Sequence, residues 1–125
     1  ELGHATAYCN IGYAYKHGRG VKVDEKKGIH YYELAAMCGS APSRHNLGNN
    51  EANAGNMDKA LKHFMIAAGA GDTDSLKRIQ RLYLEGHATK DDYTKALKAY
   101  QSYLVEIKSD QRDKAAAFHE DYRYY

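Results

Sequence analysis

An internal repeat is the feature that most limits how this chain can fold. Three units begin at Gly3, Gly39 and Gly71, which are separated by 36 and then by 32 residues. An apolar residue follows each of these glycines by eight positions: Ile11, Leu47 and Ile79. In the second half of each unit an Asp or Asn precedes a large aromatic residue by eight positions: Asp24 and Tyr32, Asn56 and Phe64, Asp92 and Tyr100. Periods of this length are typical of solenoids, in which each unit is one small structural motif.

Each unit is predicted to contain two helices joined by a loop. Apolar residues within each half recur every fourth position, which indicates helices rather than strands. The difference in unit length falls between the halves, where a loop tolerates deletion. We expect the second helices to be capped by Asp24, Asn56 and Asp92, and the first helices to end at Gly18, Gly55 and Gly86. Pro42 fits the first turn of its helix.

The predicted architecture is therefore all-α, an α/α superhelix of antiparallel helix pairs with a C-terminal capping helix. Residues 1–125 form one domain with units at about 3–38, 39–70 and 71–108. Helices are expected at about 4–17, 24–38, 41–54, 57–69, 73–85 and 92–108. Ser109 is predicted to cap a seventh helix at about 110–123. We expect Tyr15, Tyr32, Phe64, Tyr83 and Tyr100 to fill the core, and the segment to be part of a longer protein.

Composition excludes several classes of function. The chain has 18 Lys and Arg against 16 Asp and Glu, a formal net charge of +2, so it has no overall field to hold nucleic acid. Its apolar runs are too short for membrane insertion. The seven histidines include no pair at i, i+4, so we expect no metal site. We also expect no other cofactor and no catalytic residue. Cys9 and Cys38 are interpreted as free thiols, which favours a soluble, cytoplasmic protein.

The first unit carries a more specific pattern. It reads Ala7-x-x-x-Ile11-Gly12-x-x-Tyr15-x-x-Gly18-x-Gly20-Val21-x-x-Asp24 and continues Lys27-Gly28-x-x-Tyr31-Tyr32-x-x-Ala35-Ala36-x-x-Gly39. This pattern resembles the Sel-1-like repeat, a relative of the tetratricopeptide repeat. The second unit keeps Leu47-Gly48 and Ala67-Ala68 but has a shorter loop, and the third replaces the glycine of the Leu-Gly pair by Gln80.

The candidate site is a polar face on the first helices of the units. Asn46, Asn49, Asn50 and Asn53 are spaced i, i+3, i+4, i+7, although asparagine is a poor helix former. The resemblance to tetratricopeptide-like superhelices implies that the first helices line a concave groove. The predicted groove residues are Asn10, Tyr13, Asn46, Asn49, Asn53, Lys77, Arg78 and Arg81. The alternative is a solvated face that binds nothing.

We therefore predict a non-catalytic scaffold or adaptor that holds a protein or peptide in this groove. The basic residues Lys77, Arg78 and Arg81 would suit an acidic side chain or a C-terminal carboxylate. A purely structural spacer within a longer repeat array is an alternative. The resemblance also leaves a third, a secreted penicillin-binding or hydrolase-like protein, although no residue of the sequence marks such a site.

Overall fold

A computed structural model describes residues 2–123 of the chain, and the surroundings of the side chains of residues 3–115. Six helices occupy this range, with no strand among the residues described. They are α1 (Leu2–His17), α2 (Glu25–Met37), α3 (Ala41–Asn53), α4 (Met57–Gly69), α5 (Thr73–Leu84) and α6 (Lys90–Arg123). Each helix packs against the next one along the chain, and α4 also contacts α6. The all-α solenoid is thereby confirmed.

The glycine turns and one of the predicted caps are confirmed. Gly18, Gly55 and Gly86 have φ of 69°, 86° and 84°, the left-handed conformation that ends a helix without a Cβ clash. Asp24 caps α2, because its Oδ1 accepts a hydrogen bond from the Lys27 backbone N–H at 3.2 Å. Pro42 lies in the first turn of α3.

The other two predicted caps are different in the structure. Asn56 occupies the N-cap position of α4 but makes no capping hydrogen bond, because its Nδ2 donates to Oε2 of Glu51 at 3.0 Å. Asp92 is not a cap, since α6 begins at Lys90. Instead, Thr89 and Asp92 form a capping box in which each backbone N–H donates to the other's side chain at 3.0 Å. These hydrogen bonds hold the pKa of Asp92 below its usual range.

The prediction of a separate seventh helix is wrong. Ser109 lies inside α6, which continues without a break to Arg123. No glycine or proline occurs between residues 87 and 125 to end the helix. The Lys114 Nζ and Asp110 Oδ2 atoms, 3.1 Å apart, form an i, i+4 ion pair in the turn that follows Ser109. Of the apolar stripe expected there, Ala115 is exposed, whereas Phe118 and Tyr122 lie outside the described side chains.

The core depends on aromatic rings that rest against glycine on the preceding helix. A Cβ at Gly12 would lie 2.9 Å from Cδ1 of Tyr32, and one at Gly48 would lie 2.6 Å from Cε1 of Phe64. Both rings are buried, with 2% and 0% of their surface exposed. Burial raises the pKa of Tyr32 to about 12, so its hydroxyl is neutral. The predicted core position of these two aromatics is confirmed.

The third unit lacks this arrangement. Gln80 replaces the glycine and is exposed, and Tyr100 is only half-buried. The Tyr100 hydroxyl lies 2.9 Å from Oγ1 of Thr73, at the start of α5. Tyr15 and Tyr83 are also half-buried, so these three tyrosines are less enclosed than expected.

A polar junction joins the second and third units. Asp72 caps α5 by accepting from the backbone N–H and the hydroxyl of Ser75, which is fully buried. His45 of α3 reaches the same group, with Nδ1 2.8 Å from Ser75 Oγ and 3.3 Å from Asp72 Oδ2. The side chains of His45 and Asp72 are 17% exposed, so water contributes little to this contact.

The glycine contact predicts a specific loss of stability. Gly48→Ala should lower the free energy of unfolding by about 1–3 kcal/mol, because the new methyl group would overlap the Phe64 ring. Gly69→Ala is the matched control, since a Cβ there would meet only Ala99 at an ordinary 3.7 Å, and it should change stability by less than about 1 kcal/mol. Urea unfolding monitored by circular dichroism measures both. Equal effects would contradict the proposed contact.

The junction predicts an asymmetry between two N-cap residues. Asp72→Ala should cost about 1–2 kcal/mol, because it removes the cap of α5 and its contact with His45. Asn56→Ala should cost less than about 0.5 kcal/mol, since its side chain makes no capping hydrogen bond. The same unfolding measurement distinguishes them, and a larger loss for Asn56→Ala would refute the assignment.

Candidate functional site

Three of the four asparagines of α3 form an asparagine stripe. Asn46, Asn49 and Asn53 share one face, since their spacing of three and four residues matches the helical turn. Asn50, which the spacing predicts on the same face, instead lines a cavity together with Arg44, Leu47 and Glu51. Each residue of the stripe follows Arg44, Leu47 or Glu51 by two positions, which corresponds to a rotation of about 200° around the helix axis. Arg44, Leu47 and Glu51 lie on the side of α3 that faces α2 and α4. Asn53 is exposed, and Asn46 and Asn49 are partly exposed. These carboxamides are therefore accessible from solvent.

The predicted residues of α1 are exposed but have local neighbours. Asn10 is exposed, as is Tyr13 at 43%. The Tyr13 ring lies 4.2 Å from the His17 ring, measured between centroids, and Arg19 lies over it at 5.6 Å. The end of α1 thus carries a small aromatic and cationic cluster that the sequence analysis did not identify.

The three basic residues of α5 have different surroundings. Lys77 is exposed. Arg81 is exposed as well, and its Nε donates to Oε1 of Glu85 at 3.2 Å. Arg78 is half-buried: its guanidinium carbon lies 5.4 Å from the centre of the Phe64 ring, and its buried Nε has no partner in the described part of the chain. Arg78 therefore contributes to the packing around Phe64.

A cavity that the sequence analysis missed lies between α2, α3 and α4. Its volume is about 280 Å³. It is lined by Ile29, Glu33, Met37, Arg44, Leu47, Asn50, Glu51 and His63. The spacing of Arg44, Leu47 and Glu51 at i, i+3, i+7 was a signal for a shared face, but their mixed chemistry disguised it. No spacing distinguishes His63 from the other six histidines of the sequence.

His63 is the most perturbed group of this cavity. Burial lowers its pKa, and the neighbouring Arg44 guanidinium lowers it further, while Glu51 and Glu33 act in the opposite direction. Its Nδ1 is buried without a hydrogen-bond partner in the described part of the chain. Because a charged ring would be costly in this surrounding, His63 contributes a neutral ring to the cavity wall.

Other kinds of site have little support among the described residues. No group of three or more His, Cys, Asp or Glu side chains there is placed to hold a metal ion. Cys9 and Cys38 are free and half-buried. Within the described residues, none of the helices has the length and apolar character needed to cross a bilayer.

Comparisons with known proteins agree with the repeat pattern. The Sel1 repeat family matches residues 5–40 and 81–101. The intervening residues, which include the short loop at Gly55, lie outside these matches. No curated protein matches the sequence. The crystal structure of a Sel1 repeat protein from Oxalobacter formigenes superposes with a TM-score of 0.64 at 28% identity, over 82% of this chain and 44% of that one. The chain thus spans less than half of that protein. It is a helical-repeat protein whose first and third units are similar to the Sel1 repeat.

Proposed function

We propose that this chain is a non-catalytic protein-interaction scaffold that holds an extended peptide along its first helices, α1, α3 and α5. The observation that carries the proposal is the asparagine stripe of α3, whose three side chains are at least partly exposed. Proteins with helical repeats of this kind commonly act as interaction scaffolds, and a solenoid offers an extended surface for that purpose.

The chemistry of asparagine supports a peptide as the ligand. Its carboxamide both donates and accepts hydrogen bonds, as a peptide backbone requires. Asparagine is a poorer helix former than glutamate or lysine, which would serve equally well on a merely solvated face. Three asparagines at helical spacing therefore lower the stability of α3, and a role in binding would explain why they occur there.

The charge of α5 supports an acidic ligand. Lys77 is exposed, and Arg81 is paired only with Glu85, which lies on the surface one turn away. Surface ion pairs of this kind contribute little, so a ligand carboxylate could replace Glu85 at low cost. We propose that the groove takes an acidic side chain or a C-terminal carboxylate at the α5 end.

A structural spacer is the second candidate. The matched Sel1 repeat protein is more than twice as long as the matched region, so the chain could be a few units of a longer array. A spacer would show no selective binding of its own, which separates the two candidates experimentally.

Selection from a random peptide library with free C-termini tests the proposal. We expect enriched peptides to be acidic or to need their terminal carboxylate, and Asn49→Ala with Lys77→Glu to weaken their binding at least about tenfold, because a hydrogen bond and an ion pair are lost. Fluorescence polarisation measures the affinity. Asn56→Ala with Lys26→Glu makes the same changes at exposed positions outside the stripe and should leave it unchanged.

Two results would refute the peptide groove. One is a selection that yields no specific binder, as a spacer predicts. The other is a set of binders whose affinity is the same for both double variants. Circular dichroism should show equal helicity for the two, because all four positions have side chains that are at least partly exposed.

A further inference from the structure

The cavity between α2, α3 and α4 has the two parts that a docking site needs. Its apolar part comprises Ile29, Leu47 and Met37, and Met37 is 81% exposed despite being a large apolar residue. A volume of about 280 Å³ is slightly below the usual range for ligand pockets, about 300–1,000 Å³, which suits one inserted side chain better than a large cofactor.

The polar part favours a cation. The residues around the cavity include two carboxylates, Glu33 and Glu51, and one guanidinium, Arg44. The lowered pKa of His63 leaves that ring neutral at pH 7, so the groups around the cavity sum to one negative charge. Glu51 is engaged by Asn56, whereas Glu33 is exposed on α2. A ligand cation would therefore find a free carboxylate at the rim.

His63 contributes an uncharged ring to the wall of the cavity. Its Nδ1 is shielded from solvent and has no partner in residues 3–115, and burial disfavours the protonated ring. A ligand cation therefore meets no second positive charge beside Arg44.

We propose that this cavity is a second docking site, which accepts an apolar side chain next to a lysine or arginine in a partner protein. It lies on the side of α3 that carries Arg44, Leu47 and Glu51, and it selects a basic segment, whereas Lys77 and Arg81 of α5 would select an acidic one. It therefore goes beyond the peptide groove and does not depend on it.

Titration with capped dipeptides, monitored by 15N NMR of the whole chain, tests the proposal. The probes are N-acetyl leucyl-lysine amide, N-acetyl leucyl-glutamate amide and N-acetyl glycyl-lysine amide. Leucyl-lysine should shift the amides of Ile29, Leu47 and His63 saturably, with at least about fivefold higher affinity than either other probe, since each of those loses the charge match or the apolar contact.

A charge reversal at the rim provides the matched variant. Glu33→Lys should weaken leucyl-lysine binding at least about fivefold by placing a second cation beside Arg44. Glu25→Lys makes the same change two turns earlier on α2, outside the cavity, and should have little effect. Both glutamates are exposed, so neither substitution removes a core contact.

Acidification provides an independent readout of His63. Lowering the pH from about 7.5 to 5.0 favours protonation of His63, whose pKa burial holds below its usual value. Protonation adds a positive charge beside Arg44, so leucyl-lysine binding should weaken. His63→Gln places a neutral side chain that does not titrate at this position, and its binding should be independent of pH over this range.

Three results would overturn the second site: no saturable shift at the cavity, equal affinity for the three dipeptides, or tighter binding of leucyl-glutamate. Asn49→Ala with Lys77→Glu should leave leucyl-lysine binding intact. A failure of the second docking site can therefore be distinguished from a failure of the peptide groove.

Discussion

The contact between an aromatic ring and a glycine on the preceding helix is the constraint on which the first two units depend. Tyr32 lies against Gly12 and Phe64 against Gly48, at distances that leave no room for a methyl group. This close approach lets a small helix pair bury a large ring completely. Because the dispersion energy and the hydrophobic stabilisation of a side chain increase with its contacts and its buried area, a few such rings supply much of the core of a short chain. The third unit, which lacks the glycine at Gln80, leaves Tyr100 half-buried instead.

Polar contacts also hold the repeat units together. The Asp72 cap of α5 includes the buried Ser75 and extends to His45 on α3, so one group of hydrogen bonds both ends a helix and joins two units. Such a group must be fully satisfied to be stabilising in a low-dielectric environment. Arg78 is an instructive contrast, because it stacks on Phe64 while its buried Nε lacks a partner. The charge on α5 therefore belongs partly to the core and partly to the surface.

The two sides of α3 have opposite chemical characters. One carries the asparagine stripe, whose three neutral side chains are at least partly exposed. The other borders an apolar cavity whose charged groups sum to one negative charge. A helix in a solenoid can serve two surfaces in this way, since each repeat contacts only its neighbours and leaves the rest of its circumference available. The proposed peptide groove and the proposed second docking site are thus separate properties of one helix.

The sequence by itself determined the repeat, the helix pairs, the glycine turns and the burial of Tyr32 and Phe64, because these follow from spacing, backbone conformation and residue size. It did not determine the start of α6, where Thr89 and Asp92 share the capping hydrogen bonds, or the continuity of that helix through Ser109. Local sequence cannot distinguish a serine that caps a helix from one within it when no glycine or proline intervenes. Only the tertiary structure brought Arg44 and His63 to the same cavity, since they lie on different helices and their proximity depends on how α3 and α4 pack.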